Sequence, residues 1–88
     1  MHAVVVKVRI RDREAAQRRL REQIVPQVSQ APGFVTGHWA WKDDSGLAMV
    51  VFDSEGEATT MSERVPGMIV EEEVTLEGVE VREVVASA

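Results

Sequence analysis

The sequence predicts an α+β fold with elements in the order β-α-β-β-α-β, and three observations carry that expectation. β-branched and aromatic runs recur as strand-length segments, two stretches repeat apolar residues at helical spacing, and cap or turn residues separate them. With 88 residues, 44% of them hydrophobic and 28% charged, there is room for one core, so residues 1–88 are expected to form a single domain.

Residues 3–10, AVVVKVRI, read as the first strand, with Val4, Val6, Val8 and Ile10 on one face. Asp12 offers an N-cap to the segment EAAQRRLREQIVPQV, where Ala16, Leu20, Ile24 and Val28 recur every four residues. Pro26 removes a backbone donor inside that pattern, so a late break or kink is expected there. Ala31-Pro32-Gly33 is a stop and turn signal; FVTGHWAWK follows as the second strand, and Asp43-Asp44-Ser45-Gly46 as a hairpin loop into the third strand, LAMVVFD. Ser54 stands three residues before Glu57, the capping-box spacing that opens a helix, and Ala58, Met61 and Val65 mark its buried side. Pro66-Gly67 is expected to end it. After the acidic run Glu71-Glu72-Glu73, expected to be solvated loop, VTLEGVEVREVV alternates as the fourth strand. This order is the split βαβ, or ferredoxin-like, arrangement: an antiparallel four-stranded sheet with both helices on one face.

A sheet covered on one face should alternate apolar with polar residues, and this one does not. In the third strand Leu47, Met49 and Val51 face one way and Ala48, Val50 and Phe52 the other. The second strand sets Val35, Trp39 and Trp41 against Phe34 and Ala40. A sheet-to-sheet homodimer is the simplest cover for the outer face. A contact of ~800 Å² per partner, half of it apolar, would contribute on the order of 20 kcal/mol before association costs.

Composition narrows the chemistry. The net charge of −5 argues against nucleic acid as a partner. Seven of ten bases lie between Lys7 and Arg21, and twelve of fifteen acids from Asp43 onward, which suggests cross-strand pairs such as Arg9 with Glu80 or Glu83. The absence of cysteine excludes disulfides, thiolate metal sites and thiol nucleophiles. No apolar run is long enough to span a membrane and no leader is visible, so a cytoplasmic location is expected. No metal-ligand spacing or phosphate loop is present, and no cofactor is expected.

The element order, the helix ending in VPQVSQAPGFVTG, the tryptophan-bearing HWAWK and the hairpin into LAMVVFDSEGEA resemble the dimeric α/β-barrel superfamily, and within it the antibiotic biosynthesis monooxygenase-like group. The resemblance runs from Ala3 to Val85. It implies a homodimer whose two sheets form a barrel, with a ligand cavity between helices and sheet in each subunit. Relatives oxidise quinol-like aromatics without a cofactor, degrade haem or isomerise small lactones, so a cofactor-independent monooxygenase acting on a small aromatic is the implied activity. The chain departs from both better-defined sites. It has no asparagine and no tyrosine, which quinone-forming relatives place around the substrate, and its only histidines are His2 and His38. Haem-degrading relatives carry their axial histidine near the second helix or the segment following it, with an asparagine on the first strand.

His38, the one mid-chain histidine, is the candidate general base for a phenolic proton, although strand alternation points it away from Trp39 and Trp41. The alternative is a histidine bonded within the barrel or dimer interface. Trp39 and Trp41 share a face and suit an aromatic ligand wall or an oxyanion donor; interface packing explains them equally. Phe52 and Met61 are candidate pocket residues, and Met49, Met61 and Met68 also read as gap-filling core. Arg9 and Arg11 could hold an acidic substrate, with salt bridging as the alternative. His2 is expected to fray, and Ser54 to cap rather than react. The competing function is a non-catalytic binding or structural homodimer, its cavity filled by Leu20, Ile24, Phe52 and Met61.

Overall fold

The alternating strands assemble into one sheet in the computed structural model, which describes residues 1–88. Strand β1 (His2–Ile10) leads into α1 (Arg13–Arg19), a π-helical turn (Leu20–Ile24) and α2 (Val25–Ser29). The hairpin β2 (Phe34–Lys42) and β3 (Ser45–Phe52), helix α3 (Glu55–Met68) and β4 (Val74–Glu83) complete the chain. The strands stand in the order β2-β3-β1-β4 with every pair antiparallel, which is the ferredoxin-like α+β arrangement. Val28 of α2 and Ala58, Met61 and Val65 of α3 pack on Val4, Val50 and Phe52, so both helical segments cover the same face. No helix is long and apolar enough to cross a membrane.

The π turn explains the four-residue stripe. An α-helix advances about 100° per residue, so positions four apart drift by about 40° per step, or roughly 120° between Ala16 and Val28. One π turn absorbs about one extra residue, roughly 100°, and restores the alignment. The Val25 N–H donates to the Leu20 carbonyl, five residues back. The irregularity therefore precedes Pro26, whose missing N–H falls directly after the widened turn in a helical path that stays right-handed through Ile24 and Val25. Helix α3 likewise runs past its expected stop through Pro66 and Gly67 to Met68. Pro66 is exposed, on the side where water can satisfy the carbonyl it leaves unpaired.

Both predicted caps form. Asp12 Oδ1 accepts from the Ala15 N–H at 3.1 Å, and Ser54 Oγ accepts from the Glu57 N–H at 3.2 Å while donating to the Glu57 carboxylate at 3.0 Å. The Glu57 carboxylate lies where a side chain on Gly33 would project, and Gly33 has φ +80°. Gly33→Ala is expected to cost about 1–3 kcal/mol, since left-handed backbone strain adds to displacement of the capping carboxylate. Urea denaturation measures it, and an unchanged midpoint would show that the turn relaxes freely.

Several charges and faces differ from the sequence expectation. A bulge between Phe34 and Thr36 puts Phe34 on the same face as Trp39 and Trp41, where its ring meets Phe52 edge-on at 6.3 Å. Arg9 pairs with Asp44 at 2.9 Å and Glu77 at 3.6 Å. Glu80 and Glu83 stand opposite Val5 and His2 instead, and a register shift in β4 leaves Glu77 free to reach Arg9. Glu73 is not solvated loop: it accepts from Arg19 Nε at 2.7 Å and Nη2 at 3.1 Å, tying the α3–β4 loop to α1. That hydrogen bond holds the Arg19 pKa above its ordinary value. His2 does not fray; as the first residue of β1 it stands between Phe52 of β3 and Glu83 of β4, and its Nε2 lies 3.5 Å from the Glu55 carboxylate.

Candidate functional site

Between the helices and the sheet lies a cavity of about 100 Å³. Val4, Val6 and Val8 of β1 with Ala48 and Val50 of β3 form its floor; Leu20, Ile24 and Val28 close one side, and Met61, Val65 and Met68 of α3 the other. Trp39 and Trp41 form the remaining wall. The opening arises from size mismatch along the hairpin: Trp39 stands opposite Ala48, and Trp41 opposite Gly46. The Trp39 ring lies over Gly37 and the Trp41 ring over Gly46. A Cβ on Gly46 would fall 2.8 Å from Val8 Cγ2 and 3.1 Å from Trp41 Nε1, so glycine is what lets this indole lie down on the sheet.

No titratable side chain lines the cavity, and the lining side chains offer only two indole N–H groups as conventional donors. The site can therefore enclose an apolar body, stack an aromatic ring and donate hydrogen bonds to one or two acceptor atoms. Within one chain it holds no group to take up a proton.

Of the residues singled out from the sequence, Trp39, Trp41 and Met61 come together here, joined by Met68. His38 does not: it is exposed on the outer face of β2, opposite Met49 of β3. Phe52 is fully buried and absent from the lining, because it sits at the far end of β3 against Phe34. Leu20 and Ile24 line the cavity as their stripe suggests, without filling it. Two contributors were not singled out. Gly46 was read only as a loop residue, although a glycine opposite a tryptophan on a hairpin is a readable sign of a ring lying flat. Arg13 places its guanidinium 5.2 Å from the centre of the Trp41 ring, which no spacing rule announces because 28 residues of chain separate them. No group of three or more His, Asp or Glu side chains is placed to hold a metal ion. No family model and no curated protein matches the chain.

Proposed function

We propose that this protein binds a small, largely apolar aromatic molecule in the tryptophan-walled cavity, as a homodimer joined through the outer face of its sheet. The observation that carries the reading is the cavity itself, aromatic on one wall, aliphatic elsewhere and without a charge. An apolar cavity of ~150 Å³ accommodates benzene, so a ring entering the 100 Å³ present here requires Met61 or Met68 to turn aside. Methionine has the rotational freedom for that movement.

The dimer rests on the uncovered face. Leu47 is 50% exposed and Met49 47%, both on the side away from the helices, and Val35, at the bulge, is 43% exposed. Four strands spaced about 4.8 Å apart and about 30 Å long present roughly 600 Å² in projection, close to the ~800 Å² per partner of a standard interface once side-chain relief is added. Lys7, Glu80 and Arg82 on the same face supply both signs of charge, as a two-fold interface requires of one surface. This arrangement is that of the dimeric α/β-barrel superfamily, to which we assign the chain within this proposal.

Cofactor-independent oxygenation of a quinol-like substrate is the catalytic alternative, with His38 as base and an indole N–H of Trp39 or Trp41 as donor to the oxyanion. The position of His38 behind the sheet favours binding without turnover. Titration of tryptophan emission with single-ring hydroquinones is expected to saturate, and Ala48→Val, which adds methyl groups beside Trp39, to weaken it about tenfold with the circular dichroism spectrum retained. No saturable response from the folded protein would overturn the proposal. Oxygen consumption on addition of the bound compound, abolished by His38→Ala, would establish the catalytic alternative instead.

A further inference from the structure

We infer that the ligand carries an anionic group as well as a ring, and that Arg13 is the residue that selects for it. This inference rests on the binding reading above. The cavity holds no charged side chain, yet one of its lining residues carries a cation: the Arg13 guanidinium lies over Trp41 at 5.2 Å from the ring centre. That cation therefore rests on a residue that also lines the cavity, and stacking fixes its plane.

Arg13 is also free to accept an anion. In a chain with fifteen acids against ten bases, its guanidinium meets no carboxylate; Nη1 donates to the Asp43 backbone carbonyl at 3.0 Å. Nε and Nη2 remain available. The neighbouring arginines are committed otherwise: Arg9 to Asp44 and Glu77, Arg18 to Glu14, and Arg19 to Glu73. Arg9 is therefore a poor anchor for an acidic substrate, and Arg11 donates to the Glu71 carbonyl in the α3–β4 loop. Other surface cations are unpaired as well, but Arg13 is the one stacked on a cavity wall. A ring held in the cavity with a carboxylate directed past the edge of Trp41 toward Arg13 would satisfy both features, with a charge-assisted hydrogen bond at the rim.

Benzoate and benzamide separate the two halves of this recognition, being nearly equal in shape and different in charge. Titrated into the protein at low salt, benzoate is expected to bind three- to tenfold more tightly than benzamide, the advantage shrinking as salt is raised. Arg13→Gln is expected to remove the advantage while leaving benzamide affinity in place. Arg18→Gln removes the same charge five residues along the helix and is expected to preserve it. Equal binding of both compounds to the unaltered protein would overturn the role of Arg13 and leave the cavity reading standing. So would a preference that survives Arg13→Gln or is lost equally in Arg18→Gln, since either reports the general field of the molecule. Binding of neither compound to the folded protein would overturn the inference together with the binding reading beneath it.

Discussion

Phe52→Ala is expected to destabilise the protein by about 3–5 kcal/mol. Phe52 is fully buried at the end of β3, with the Phe34 ring edge-on to it at 80° between planes. It belongs to the cluster that joins β1, β3, α2 and α3, so truncation leaves a void bordered by every layer of the fold. Its surroundings relax poorly, because the bulge in β2 and the Ser54 cap of α3 fix the backbone on either side. Against a total stability of ~5–15 kcal/mol for a small domain, that loss leaves a substantial unfolded population. Urea denaturation followed by tryptophan emission reads it directly. A loss below about 1 kcal/mol would mean that Phe34 and the helices collapse into the space, and that the core is centred elsewhere. Because Phe52 is remote from the cavity lining, residual folded protein should bind aromatics as before.

Met49→Glu is expected to convert the proposed homodimer to monomer. Met49 is 47% exposed on the outer face, between His38 of β2 and Val5 of β1 in register. A two-fold contact across this face would bury two copies of the introduced carboxylate, and an unpaired buried charge costs several kcal/mol. In the isolated chain the same glutamate meets water, so the fold and the cavity behind the sheet are expected to persist. Sedimentation equilibrium should give twice the chain mass for the unaltered protein and the single mass for the variant. Thr59→Glu, on the exposed side of α3, should leave the dimer mass unchanged. An unaltered protein that sediments as a monomer would remove the dimer from the proposal and leave the outer face to some other cover. The position of His38 beside Met49 gives the histidine a place in such an interface rather than in the cavity.

Local signals in the sequence carried the element order because each boundary is set by its own residues. Asp12 and Ser54 cap helices by reaching backbone groups three residues away, and the Pro and Gly turns act over similar distances. The four-residue stripe from Ala16 to Val28 already contained the π turn, since an unbroken α-helix would rotate it off the core. The errors share a cause too. Phe34 departs from the face that strand parity predicts, because parity holds only along an uninterrupted strand and one bulge inverts it. Arg9 meets Asp44 and Glu77 rather than Glu80 or Glu83, and Glu73 meets Arg19 rather than solvent, because side-chain partners depend on register and loop path rather than on spacing.

The candidate site was legible in part. Trp39 and Trp41 on one face, and His38 on the other, follow from strand alternation between them, where no bulge intervenes. By itself, then, the amino-acid sequence determined the ferredoxin-like order, the caps, the helix stripe and the doubly apolar sheet, all consequences of backbone periodicity and short-range hydrogen bonding. Tertiary structure decided which side chains meet: that a cavity remains beside the tryptophans, that Phe52 seals the core instead of lining it, and that Arg13 stacks on Trp41. Those outcomes depend on side-chain volumes and strand registers brought together from distant parts of the chain, which no local pattern encodes.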